Sequence, residues 1–190
     1  MLVWTTTPWT LPSNVALAVD PELTYAEVEL GERNYILAEA RVEPVLGAEA
    51  TVARRFPGAE LVGTKYVRPF DLIPSDDAGP NSWTVHPGDF VTAEDGTGIV
   101  HLAPAFGADD YTMGQKYDLP MYNPLDEAGR FKEWIPVVGG LFVKAADQPL
   151  VEDLEQRGRL FRFGMAEHSY PHCWRCSSRS QTQMGRGVPQ

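Results

Sequence analysis

Short β-prone runs closed off by turn residues govern what this chain can fold into. Segments 2–6, 16–19, 24–29 and 34–38 are rich in Val, Tyr, Thr and Ile and are separated by Asp20-Pro21 and Gly31-Glu32. Runs this short and so punctuated read as strands in a small sheet, not as long helices. Further strands are expected at 60–62 and 65–67, and a loop rich in Asp, Gly, Pro and Asn at 75–82. Segments 90–92 and 99–103 read as a strand pair joined through Asp95-Gly96-Thr97-Gly98. Helical pattern is sparse. Segment 39–46 is a short helix stopped by Gly47, 109–117 starts a helix after Pro104, and 148–157 is amphipathic, with Leu150, Val151 and Leu154 on one side and Gly158 as its stop. The expected fold is mainly β with peripheral helices (α+β), a β-barrel-like domain over residues 1–166. Character changes near Glu167, so 167–176 is expected to form a separate connection and 177–190 a disordered polar tail.

Composition limits the function classes. With 43% hydrophobic residues among 190 the chain can bury a core. No stretch approaches the roughly 20 apolar residues of a membrane span, and the first residues show no signal-peptide pattern. A net charge of −10 argues against gripping long nucleic acid through many phosphates, since each such contact needs Lys or Arg. It leaves room for a pocket that receives one nucleotide end. Two cysteines spaced Cys-x-x-Cys suit a reducing cytoplasm and are no disulfide framework.

Two stretches carry more than strand or turn propensity requires. In Thr5-Thr6-Thr7-Pro8-Trp9-Thr10, three hydroxyls end a strand that Pro8 forces out of its course. Such hydroxyls donate to and accept from a polar ligand or a water. Strand preference covers any one Thr, but it covers neither Trp9 nor Asn14, which follows after Leu11-Pro12-Ser13. The second stretch runs Gly96-Thr97-Gly98-Ile99-Val100-His101 and on to Ala103-Pro104-Ala105-Phe106-Gly107-Ala108-Asp109-Asp110. Gly96 and Gly98 alone report a turn, and no Lys-Ser/Thr follows to make a phosphate loop. Helix capping is the plain account of an Asp here and a serious competitor for Asp109; a carboxylate at a pocket could instead bind an ammonium, and two adjacent acids need not share one job. Cys173 and Cys176 offer two thiolates where structural zinc takes four ligands. His172 abuts Cys173 and His168 stands nearby, a poor set for closure, so the pair is either two free cysteines or half of a split site.

Together the two stretches resemble the threonine-rich and Gly-Thr-Gly…Asp-Asp motifs of the isoleucyl-tRNA synthetase editing domain, a connective insertion of class I synthetases. Valyl enzymes usually carry Lys where His101 stands, and leucyl enzymes Thr-Thr-Arg-Pro-Asp-Thr in place of Thr-Thr-Thr-Pro-Trp-Thr. The resemblance spans roughly residues 2–176. It implies hydrolysis of misattached valine from the 3′ end of tRNA(Ile). Asp110 would bind the α-ammonium, and Thr6 and Thr7, with Thr5, would hold the ester, the adenosine or the water. His101 would line the amino-acid pocket and block isoleucine, with general base as its rival role. Trp9, Thr10, Asn14 and Gly98 would shape the substrate site. No cofactor is expected for editing. Zinc would enter only in a longer parent, whose zinc-binding module the segment around Cys173 and Cys176 resembles. The expected partners are the acceptor end of aminoacylated tRNA(Ile), its noncognate valine and the rest of the synthetase, in the cytoplasm and without a membrane. No stretch like the synthetic His-Ile-Gly-His or Lys-Met-Ser-Lys-Ser motifs is present. Two alternatives stand beside this reading: a non-catalytic module that binds the tRNA acceptor end, and a valyl-type editing domain that clears Thr-tRNA.

Overall fold

The computed structural model describes residues 1–164. The expected segments 167–176 and 177–190, with Cys173 and Cys176, lie outside the described residues. Two compact units are formed. One comprises Met1–Thr5, Val15–Arg68 and Pro80–Leu102; the other comprises Thr6–Asn14, Pro69–Gly79 and, among the described residues, 103–164.

The first unit holds both sheets. Strand β1 (Ala16–Val19) is entirely buried and entirely apolar, so it is used on both edges. It pairs parallel with β5 (Val85–Pro87) and antiparallel with β6 (Val100–Leu102). A second three-stranded sheet has β2 (Thr24–Leu30) between β3 (Arg33–Ala38) and β4 (Thr51–Pro57), both antiparallel to it, with a bulge at Glu27/Val28. The tight turn between β2 and β3 is closed by Gly31 and Glu32 as expected. Leu17, Val19, Tyr25, Ala38, Phe56, Leu61, Val85 and Ile99 form one apolar cluster; Ala26, Val28 and Leu37 pack with Leu2, Val42 and Leu46 in another. The short helix after β3 is divided into a 3-10 turn, Glu39–Arg41, and α1, Val42–Leu46, ended by Gly47.

The fold is mainly β with peripheral helices, as expected, but the described strands make two separate small sheets and do not close into a barrel. Four of the expected strands are corrected. Segment 2–6 makes a single bridge, Trp4 to Val100. Segment 60–62 is occupied by a 3-10 turn, Gly58–Glu60, and the turn after it. At 65–67 there is one bridge, Lys65 to Thr84. Segment 90–92 is turn and loop, and β6 takes β1 as its partner, because the buried β1 edge offers a ladder that a short turn-and-loop segment does not.

The second unit is built on helices. A 3-10 helix, Pro8–Ser13, starts where Pro8 was expected to end the extended segment, with Pro at its first position. Helix α2 is Ala108–Tyr117 and α3 is Val143–Gln156. Val143, Ala146, Leu150, Val151 and Leu154 place α3's buried stripe at helical spacing. The helix starts five residues before the expected 148 and runs through Pro149. Trp9, Leu11, Phe70, Leu125, Phe131, Ile135 and Val138, with Val143, Ala146, Leu150 and Leu154 of α3, form the core of this unit.

Candidate functional site

Both motifs straddle the two units: Thr5 closes a segment of the first and Thr6 opens one of the second, and the same holds for Leu102 and Ala103.

In the first unit, Thr5 is half-buried. Just before it, the exposed Trp4 lies against the glycine turn, where a Cβ on Gly96 would come within 2.8 Å of the indole ring. Gly98 sits at φ +73, and a Cβ there would stand 2.5 Å from that of Ala38. Only glycine meets both conditions. The Gly98 carbonyl accepts from the Tyr25 hydroxyl at 2.6 Å, and the Thr97 carbonyl from the Ala38 N–H at 2.9 Å. Gly98 therefore docks the motif loop on the second sheet. His101 lies on β6 opposite Leu17, which is itself opposite Val85, so all three share a sheet face. The imidazole is buried, and desolvation pulls its pKa down to about 4. At neutral pH it is an uncharged, space-filling ring and a weak base.

In the second unit, Thr6 is exposed, and its Oγ1 lies 3.3 Å from that of half-buried Thr7. The Thr7 carbonyl accepts both the Thr10 N–H, at 3.1 Å, and the Thr10 hydroxyl, at 2.8 Å. Thr10 is thus engaged in the turn that carries Thr7. Asn14 is buried at the end of the 3-10 helix, its N–H donating to Leu11 O at 3.0 Å. Trp9 is a core side chain: it is 5% exposed and packs edge-on against Phe106, ring centres 4.9 Å apart.

Asp110 occupies the first turn of α2. Its Oδ2 accepts the Ala103 N–H at 3.0 Å, tying the helix start to the strand exit. The approach is close enough that a Cβ on Gly107 would lie 2.9 Å from the carboxyl carbon. Burial raises the Asp110 pKa to about 6; the Ala103 bond opposes this and neighbouring Asp109 adds to it. Of the alternatives open for Asp109, capping is not seen: the N-cap is Gly107, no side-chain bond caps the helix, and Asp109 is exposed. At neutral pH the site offers a carboxylate held at a helix N-terminus, short of solvation and suited to a cation.

One residue escaped sequence reasoning. Asp147, on α3, accepts the Trp9 N–H through Oδ1 at 2.9 Å, across 138 residues of sequence. Lys144 stands 3.9 Å from its other oxygen. Burial raises its pKa, opposed by Lys144 and the Trp9 N–H. A one-turn side-chain pair 138 residues from its backbone partner leaves no local signal. Among the described residues no group of three or more His, Cys, Asp or Glu could hold a metal ion, and no helix is long and apolar enough to cross a membrane.

No protein-family model matches the chain. Curated relatives do. It is 49% identical over 177 residues to the isoleucine–tRNA ligase of Streptomyces avermitilis and 51% identical over 177 residues to that of Thermobifida fusca, in each case across 93% of this chain. The chain is a homologue of one segment of the isoleucine–tRNA ligases. It spans 17% of the length of the Streptomyces enzyme and 16% of the Thermobifida enzyme. Among solved structures, GlLeuRS-CP1 superposes with a TM-score of 0.63 over 87% of this chain and 84% of its own, at 20% identity. The P. knowlesi cytosolic leucyl-tRNA synthetase editing domain does so at 0.56 over 83% and 81%, at 13% identity. At these identities the likeness establishes a shared fold. The chain thus shares the fold of these leucyl-tRNA synthetase domains.

Proposed function

We propose that this chain is the editing domain of an isoleucyl-tRNA synthetase and hydrolyses valine from Val-tRNA(Ile). The observation that carries the reading is the coincidence of sequence and fold: a segment about half identical to isoleucine–tRNA ligases folds as leucyl-tRNA synthetase editing domains do. Such a domain has a physical reason to exist. A hydrophobic pocket separates isoleucine from valine by only about 1–3 kcal/mol, and this pair is the standard example of that limit. A second site that admits valine and excludes isoleucine supplies the missing selectivity.

In this reading Asp110 binds the α-ammonium. Its raised pKa supports the role, because a desolvated carboxylate gains most from a cation. Thr6 and Thr7, with Thr5, hold the ester, the adenosine or the attacking water, so that hydrolysis rests on positioning. The buried, uncharged His101 limits side-chain size; a pKa of about 4 matches a general base at neutral pH poorly. Thr10 and Asn14 support the 3-10 turn, Trp9 anchors it in the core and Gly98 docks the other motif. The reaction needs no cofactor, and zinc belongs to a longer parent. The partners are the acceptor end of tRNA(Ile), its valine and the remainder of the synthetase, in the cytoplasm. The test is deacylation of Val-tRNA(Ile), Ile-tRNA(Ile) and a Thr-tRNA by the purified chain. Cleavage of the valyl ester alone is expected. Preference for the threonyl ester would establish the valyl-type alternative, and binding without turnover the non-catalytic one.

A further inference from the structure

Pro8–Ser13 begins immediately after Thr6 and Thr7, and its start is not capped locally: Thr7, at the N-cap position, makes no side-chain capping bond. The first turn of any helix leaves N–H groups without intrahelical partners. Pro8 removes one by having no N–H. The next belongs to Trp9, and it donates to Asp147. Asp147 is held in turn by α3, whose Val143, Ala146 and Leu150 are buried in the same core as the Trp9 side chain. The backbone of the motif is therefore clamped twice at Trp9, by its side chain in the core and by its N–H on a carboxylate.

We propose that Asp147 is a positioning residue for the threonine motif: by capping the 3-10 helix at Trp9 from α3, it sets the backbone from which the Thr6 and Thr7 side chains project. This rests on the editing reading above. Asp147 need not touch the substrate. Its effect is transmitted through the Trp9 N–H and the Thr7-Pro8 link, and the Thr7 carbonyl, already committed to Thr10, makes that link a closed turn. Loss of the cap lets the turn shift while the core still holds the Trp9 ring. A displacement of about 1 Å at a positioning group is enough to cost a large factor in rate.

The experiment uses the whole chain with Val-tRNA(Ile), and follows exchange of the Trp9 amide alongside deacylation. D147A is expected to lower kcat about tenfold with KM changed less than about twofold, and to speed Trp9 amide exchange about tenfold or more. D147N keeps an oxygen acceptor facing Trp9, so it should restore kcat to within about twofold of wild type and restore amide protection. Should D147A fail to fold, the α-hydroxy analogue of tryptophan at position 9 removes the donor and leaves Asp147 intact, and the same fall in kcat is expected. Wild-type kcat in D147A, or in the position-9 analogue, overturns the proposal. So does a D147N chain as impaired as D147A, since charge and not the hydrogen bond would then matter. A wild-type chain that does not cleave Val-tRNA(Ile) at all overturns the editing reading, and the positioning role falls with it. That outcome is read before any variant is compared.

Discussion

Asp110 is under two opposed demands. Its proposed role as an ammonium anchor needs the carboxylate charged, while its burial favours the neutral acid. The sign follows from linkage. The folded-state pKa of about 6 lies above the ordinary 3.8, so the unfolded chain releases this proton first as pH rises. Stability from this group is fully present below about pH 4 and is lost as pH climbs through about 6. Asp110→Asn keeps an acceptor for Ala103 and removes the titration. It should be more stable than wild type at pH 7 by about 1–3 kcal/mol, with the difference vanishing near pH 4. It should also lose at least about tenfold in valyl-ester hydrolysis. Denaturant unfolding at several pH values, beside a deacylation assay, reads both. His101→Ala separates wall from base: a wall predicts new cleavage of Ile-tRNA(Ile) with valyl cleavage largely kept, a base predicts a steep fall in valyl cleavage and no gain. The motifs were legible in the sequence because they are contiguous and neither strand nor turn propensity accounts for them. What Trp9 and Gly98 do was not. Their partners, Phe106, Asp147, Ala38 and Tyr25, come from distant segments, and a lone aromatic or glycine does not name what it packs on.

The elements that could be read in advance are those whose pattern is local. Segments β1, β2 and β3 combine β-branched or aromatic residues with turn residues at each end, and the observed bounds agree within a residue. Strand β4 was invisible because it is an edge: Arg54 and Arg55 occupy its middle and most of its side chains are exposed, so no apolar alternation remains. Strand β5 is three residues ending in Pro87, and only its parallel pairing with β1 makes it a strand. The early start of α3 was masked by Pro149, which costs a helix bond that the buried stripe offsets. The glycine turn before β6 gives a direct test of element docking. Gly98→Ala combines positive φ with a contact no side chain can relieve, and should destabilise the chain by about 1–3 kcal/mol, measured by denaturant unfolding.

Across the chain as a whole, charge sets the terms of binding. A net charge of −10 leaves few basic groups for phosphates, and several of the arginines are already engaged: Arg54 with Glu60, Arg55 with Glu39, Arg157 with Asp153. Under the proposed function, contact with tRNA would therefore fall to a small site and to whatever the rest of a synthetase adds. The log of kcat/KM for Val-tRNA(Ile) should fall with log salt by a slope of only about −1 to −2, well short of a protein that neutralises many phosphates. Titrating salt from low to physiological strength checks this. The paired arginines of β4 have a second consequence. The β3-β2-β4 sheet ends on that strand, whose outer backbone groups meet no further strand among the described residues, and Arg54 and Arg55 stand exposed along it. Charged, solvated side chains on an open edge keep two copies from zipping together. Replacing Arg54 with Thr and Arg55 with Val would leave the monomer's own ladder intact while making that edge adhesive. Concentration-dependent light scattering would then rise, and the arginines would be recognised as guardians of solubility.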